Sequence, residues 1–355
     1  LIKTKTFNHK KLKIMNLESK MRGLTLGAQV LPLERVSASD LGALAPLVGT
    51  WKNAEVPASA ISAGWNTISV PGQDKGFVFE VIPYTETLTF NPVVVQAGNR
   101  GPVVNGQQVE QMIFGLLYEQ QIVSACDSSF CNDRGFPAGS TIHVETGLFL
   151  NLGQPNGGYT IARMSTIPHG NSLLALGSSS EVGNPGTDFF SPASSIPTLL
   201  NGGRITQLGY SDQIIGNPQF APFNQVNPNA FLQSTLEGLV GTGGVSNMTV
   251  IQMSTNTPDA NGGILNIPFI QTNVNATKMD ATFWIEDIVD SAGNPNQILQ
   301  YSQTINLVFP ATGTAQPVNW PHVTVNSMIK VPETQQLQQQ FKSLDVTEGL
   351  KESEF

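Results

Sequence analysis

Between positions 298 and 309, Leu299, Tyr301, Ile305, Leu307 and Phe309 alternate with Gln300, Ser302, Thr304 and Asn306. A period of two puts each set on its own face of a β-strand, so this segment predicts a strand with one buried face. The stretch 141–152 has the same period but divides differently. Ile142, Val144, Leu148, Leu150 and Leu152 share one face, while His143, Glu145, Gly147 and Phe149 share the other. One face is greasy and the other carries chemistry. A β-barrel accepts either face inward, and an apolar face left outside is then covered by inserted loops or by a second copy of the chain, a homo-oligomer.

Further strands are predicted over 64–70, 77–90, 111–124, 159–167, 173–182, 247–254, 278–288 and 322–330, with turn residues in nearly every gap. The series predicts an all-β fold, an antiparallel up-and-down barrel of about ten strands. Long loop insertions and one or two short helices complete it. Ser39 is the expected cap of a helix reaching Leu47, with Leu41, Leu44 and Leu47 at helical spacing to plug one barrel end. Residues 183–246 interrupt the strands with Gly, Pro, Asn and Ser. Inside them, Asn229 opens a helix through Val240 whose stripe of Phe231, Leu232, Leu236, Leu239 and Val240 reads as packing. The expected organisation is a flexible basic arm over 1–38, one barrel domain over 39–332 and an amphipathic tail over 333–355 marked by Leu337, Phe341 and Leu344. No fixed repeat is present, which disfavours solenoids and propellers.

Composition agrees with this picture. The chain has 34 Gly, 23 Pro and only 12% charged residues, too few for a helical bundle, while 40% hydrophobic residues and 18 Phe supply a sizeable core. The net charge is −8. Lys3, Lys5, Lys10, Lys11, Lys13, Lys20 and Arg22 crowd the first 22 residues, so the body is more acidic still and nucleic acid is not an expected partner. No apolar run approaches the roughly 20 residues of a membrane span, and no signal peptide is evident, which points to the cytoplasm. Cys126 and Cys131 permit a small loop disulfide, but in that compartment two free thiols are the favoured reading.

Several chemistries lack their motifs. Neither a phosphate-binding loop nor a strand-linked Gly-x-Gly-x-x-Gly occurs, and Gly177-Ser-Ser-Ser lacks the second glycine of a nucleophile elbow. His143 and Glu145 supply two candidate zinc ligands without a third. The triplets at Asn247 and Asn275 fit glycosylation sequons, which arise readily by chance in such a chain. What remains is a scarcity of histidine. Of four, His143, His169 and His322 sit in or beside strands, and His322 opens its strand after Trp320-Pro321, where an imidazole can project into a barrel mouth.

Several segments, in order, resemble the nitrobindin-like haem-binding β-barrel family of ten-stranded, calycin-like barrels. Leu47-Val48-Gly49-Thr50-Trp51 is similar to the family's opening Leu-x-Gly-Thr-Trp. His143-Val144-Glu145-Thr146-Gly147 resembles its His-x-Glu-x-Gly strand, and 159–177 its next hairpin. The pair Leu299-Gln300-Tyr301 and Pro321-His322-Val323 resembles the closing hairpin whose histidine ligates haem iron. The resemblance spans about a third of the chain. It departs where no Gly-Glu-Gly follows Trp51 and where His169 stands two places later than the family's turn histidine.

The resemblance implies a haem b with His322 as the iron ligand and His143 in the same cavity. Thr50 and Trp51 then stand beside the pocket, and Tyr301, Ile305, Leu307 and Met328 form an apolar wall for the macrocycle. It implies nitric oxide binding to ferrous haem and isomerisation of peroxynitrite to nitrate on ferric haem. The rival expectation is a haem-free barrel that carries a small apolar ligand or serves as a structural, oligomeric interaction protein.

Overall fold

The computed structural model describes residues 28–30, 36–56, 61–71, 77–97, 100–101, 103–109, 111–153, 158–203, 205, 223–259, 261–310 and 317–332. Most of the basic arm, the whole amphipathic tail over 333–355 and positions 204 and 206–222 of the insertion lie outside the described residues.

In chain order the strands are β1 (Ala28–Val30), β2 (Gly49–Asn53), β3 (Gly64–Pro71), β4 (Phe77–Ala97), β5 (Val103–Val104), β6 (Gln107–Gln108), β7 (Gln111–Ser124) and β8 (Thr141–Asn151). They continue with β9 (Ile161–Ile167), β10 (Asn171–Gly183), β11 (Thr198–Leu199), β12 (Val240–Ser254), β13 (Gly263–Asn266), β14 (Asn275–Asp290), β15 (Pro295–Pro310) and β16 (Pro317–Lys330). β2 and β3 lie end to end between β16 and β4 and together form one stave. From β4 the wall runs through β7, β8, β9, β10, β12, β14, β15 and β16, each antiparallel to the next, and β16 pairs back to β2 and β3. The fold is therefore the expected closed, ten-stranded antiparallel barrel. Closure leaves the wall without an unpaired edge. β1, β11 and β13 add to it from outside, on β4, β16 and β10, and β5 and β6 form a separate hairpin.

Alternation decides what fills the barrel. Leu299 stands opposite Met328, Tyr301 opposite Asn326 and Ile305 opposite His322, so these residues share one face. That face joins Phe90, Tyr118, Phe149, Phe283 and Trp51 in the interior cluster. On β8 the inward set is Glu145, Gly147 and Phe149 with His143, and the greasy set faces out, where Val144 is exposed. Leu150 of that set is buried all the same. The insertion's helix Asn229–Leu239 packs over β3, β12, β14, β15 and β16, where Phe231, Leu232 and Leu236 meet Trp65, Trp284, Val323 and Val325 in a second core outside the barrel.

One barrel end is plugged as expected, by a helix at Ala38–Leu41 that tightens into a 3₁₀ helix at Gly42–Leu47. Leu41, Leu44 and Leu47 are buried in the interior cluster. The cap is Ser37, not Ser39. Ser37 Oγ accepts from the Asp40 N–H at 3.2 Å while Asp40 Oδ2 accepts from the Ser37 N–H at 2.9 Å. This reciprocal box needs an acidic side chain three residues on, which only Ser37 has. A second correction concerns the cysteines. The helical turn Ser129–Asp133 brings Cys126 and Cys131 to 5.9 Å between Cα atoms, and they are joined in a disulfide. The expectation of free thiols rested on compartment, which says nothing about that local geometry. Among the described residues no helix is long and apolar enough to cross a membrane.

Candidate functional site

The two barrel ends differ in chemistry. β8 finishes at Asn151, whose Nδ2 donates to the Asp40 carbonyl of the plug, and β16 finishes at Lys330, whose Nζ donates to the Pro46 carbonyl. His143 and His322 sit toward the starts of those strands, at the far end, together with His169 in the turn joining β9 to β10. The rings of His143 and His169 lie 5.4 Å apart, and both act electrostatically on His322. Residues 143, 169 and 322, unremarkable singly, are gathered by the fold.

His322 Nδ1 lies 3.0 Å from the carbonyl oxygen of Thr67 on β3. A carbonyl only accepts, so Nδ1 carries the hydrogen and Nε2 keeps the lone pair. Burial pushes the His322 pKa down to about 4; the Thr67 contact opposes this, and His143 and His169 reinforce it. The ring is therefore neutral near pH 7. A neutral imidazole with one nitrogen tied to a backbone carbonyl and the other bearing a lone pair is the state in which histidine ligates a metal.

Beneath His143 lies a buried charged network. Glu145 faces inward at 0% exposure, and Arg163 Nη2 reaches its Oε1 at 2.7 Å. Tyr118 donates to the same carboxylate, and His143 Nε2 approaches Oε2 at 3.2 Å. Burial opposes ionisation of Glu145, but Arg163, His143 and Tyr118 outweigh it and hold the carboxyl well below its usual range. An ionised carboxylate only accepts, so His143 Nε2 is the donor in this contact. Arg163 also gives Nη1 to Gln303 Oε1 at 2.7 Å, bridging β9 to β15. Gly147 makes this packing feasible, since a Cβ there would fall 2.8 Å from the Tyr118 ring and 2.1 Å from the Met164 carbonyl. A second interior network centres on Glu86, which accepts from Tyr301, Gln120 and Asn326 at 2.6–2.8 Å. Burial raises the Glu86 pKa, against the pull of those three donors.

The other expected site residues fall in different places. Tyr301 stacks on Phe283 at 5.4 Å and shares its hydroxyl with Tyr84 and Glu86, so it is packed core, as is fully buried Met328. Along their strands both lie away from His322, Met328 toward the plugged end where it pairs with Asn53. Ile305 is the inward neighbour of His322 across the β15–β16 ladder. Leu307 leaves the expected wall and packs on the outer cluster. Trp51 lies near the plugged end, donating Nε1 to the Leu47 carbonyl at 2.7 Å and pairing with Lys330. Thr50, on the other face of β2, meets Thr89 at 3.1 Å. Neither residue is brought to His322.

No protein-family model matches the sequence, and no curated protein matches it. Among solved structures the chain is similar to the crystal structure of Rv2717c from M. tuberculosis, at 15% identity over 84% of this chain and 100% of that one, with a TM-score of 0.36. The site's chemistry is accordingly read from its own residues.

Among the described residues no group of three His, Cys, Asp or Glu side chains is placed to hold a metal ion. A haem iron asks the protein for only one or two ligands, and His322 has the right protonation state and free nitrogen for one. Sequence reasoning missed Arg163, Tyr118 and Gln303. Arg163 had a readable signal, since it alternates in phase with Ile161, Ser165 and Ile167 on β9 and so belongs to the inward face. Its carboxylate partner lies across the β8–β9 ladder, and no spacing along the chain reveals that pairing.

Proposed function

We propose that the histidine end of the barrel binds a b-type haem, with Nε2 of His322 as axial ligand to the iron. The observation that carries this reading is the state of His322: neutral, with its hydrogen held on Nδ1 by the Thr67 carbonyl. Ile305 stands beside it across the β15–β16 ladder, and Tyr301 lies further along β15, in the Glu86 network. A haem bound here would supply an iron that takes nitric oxide when ferrous and isomerises peroxynitrite to nitrate when ferric, the chemistry of the family whose motifs this chain resembles. Glu145 holds His143 Nε2 at 3.2 Å and so orients its ring at the same end of the barrel, a polar group beside the proposed site. The Cys126–Cys131 bond favours an oxidising compartment for this activity over the cytoplasm.

Adding hemin to the purified chain should give a Soret band that saturates at one haem per chain. His322→Ala should abolish the band while the far-ultraviolet circular dichroism stays unchanged. A folded wild-type chain without a Soret band, or a variant that keeps it, refutes the proposal. A haem-free barrel is the second reading, and the filled interior, where Phe283, Phe149 and Tyr301 pack ring to ring, favours it. In that case hemin uptake fails in the folded wild-type chain.

A further inference from the structure

The outer wall of the barrel holds a second site, on the opposite face of the sheet from Ile305 and His322. Alternate residues of β12, β14 and β15 form the floor of a groove of about 380 Å³, and the insertion segment around Phe189–Ala193 and the first residue of the helix Asn229–Leu239 form its roof. The volume falls within the roughly 300–1,000 Å³ of small-molecule sites. A neighbouring recess of about 280 Å³ shares Gln252, Asp280 and Thr282 with it, so the trough continues toward β10.

Asn229 sets the chemistry. It is only 4% exposed and lines the groove. Its Nδ2 donates to the Ser191 carbonyl at 2.6 Å, which fixes the amide orientation, because a carbonyl can face only the nitrogen. The remaining Oδ1 is buried without a hydrogen-bond partner among the described residues. Leaving such a buried acceptor unpaired is costly, so a ligand that donates an O–H or N–H is favoured there. Around it, the hydroxyls of Thr282, Ser302 and Thr304 both donate and accept, and the Asp280 carboxylate only accepts. Asp280 is itself paired with Lys278 at 2.7 Å and accepts from Ser254 at 2.8 Å. No cationic side chain lines the groove among the described residues, which disfavours an anion. Half-buried Phe189 and the edge of Trp284 add an aromatic side.

We infer that this groove binds a neutral sugar ring, with its hydroxyls on Asn229, Asp280 and the floor hydroxyls and its C–H face on Phe189. A ring that is apolar on one face and hydroxyl-rich at its edge matches the two sides of the trough. Nothing in this inference depends on haem.

Saturation-transfer difference NMR on the full chain, with methyl α-glucoside, methyl β-galactoside, maltose and cellobiose as probes, tests it. Transfer to the ring C–H protons of at least one sugar is expected. Asn229→Ala should weaken that affinity about 3–10-fold, the worth of one hydrogen bond. Asn229 also anchors Ser191, so Thr282→Val on the rigid floor and Phe189→Ala serve as variants that leave the roof anchor intact; both should weaken binding, while His322→Ala should not. Absence of transfer from wild type to all four sugars overturns the inference. So does binding that Thr282→Val and Phe189→Ala leave unchanged.

Discussion

Nδ1 of His322 donates to the carbonyl oxygen of Thr67 at 3.0 Å, across the seam where β16 meets β3 and the barrel wall closes. The bond fixes a tautomer and also makes closure sensitive to acid. Burial lowers the His322 pKa to about 4 from an ordinary 6.5, so the unfolded chain binds this proton more readily than the folded one. Stability is then complete above pH 6.5 and falls as the pH drops toward 4, by about 3 kcal/mol in all at 1.4 kcal/mol per unit. Urea denaturation from pH 7.5 to 4 should show this slope for wild type and a shallower one for His322→Gln. Equal slopes would mean that folding leaves the imidazole pKa unshifted.

The Glu145–Arg163 pair predicts strong non-additivity. Arg163→Met strands a carboxylate at 0% exposure and should cost about 3–5 kcal/mol by urea denaturation. Glu145→Gln strands the guanidinium and should cost a similar amount. In the double variant no unpaired charge remains, so the loss should be well below the sum of the two. An additive double variant would show that the two side chains do not act as a pair.

Much of this architecture was legible along the chain, because a closed barrel writes its two faces into a period of two. The alternation at 298–309 placed Leu299, Tyr301 and Ile305 inside, and the plug with Leu41, Leu44 and Leu47 was visible from helical spacing. What could not be read was set by contacts between distant segments. His143, His169 and His322 come together only because the starts of β8 and β16 and the turn after β9 lie on the same rim. The alternation of β15 breaks down at Leu307, whose face is inward by phase but whose packing belongs to the outer core with Trp320. Thr50 and Trp51 carry a family-like motif yet lie at the plugged end, eight residues along β16 from His322 by their pairing with Lys330, roughly 26 Å of extended chain.

The disulfide predicts that chain denatured without reductant contains no titratable thiol. Reducing Cys126–Cys131, whose partners are 5 residues apart in sequence, should lower stability by about 2 kcal/mol, the small value appropriate to so short a loop. Thiol titration before and after reduction, followed by urea denaturation of each form, measures both. Two free thiols in the unreduced chain would contradict the bond.

Glu286 carries the last prediction. It is completely buried on β14, and neither carboxylate oxygen has a hydrogen-bond partner among the described residues. Its strand neighbours are Met248 on β12 and Ile298 on β15, both members of the outer core beneath the helix Asn229–Leu239. Burial raises its pKa well above the ordinary carboxylate value, and adjacent Asp287 adds to the rise, while a backbone contact opposes it. With a raised folded value, the group's contribution is intact below pH 4.5 and is lost as the pH climbs toward the folded pKa. Glu286→Gln keeps the shape and removes the ionisation. It should match wild type at pH 4 and exceed it at pH 8, by about 1.4 kcal/mol for each unit that the pH lies above the unfolded value, up to the folded pKa. Thermal and urea unfolding at the two pH values check this. A variant that is less stable than wild type at pH 8 would show that Glu286 is ionised and paired in the folded chain.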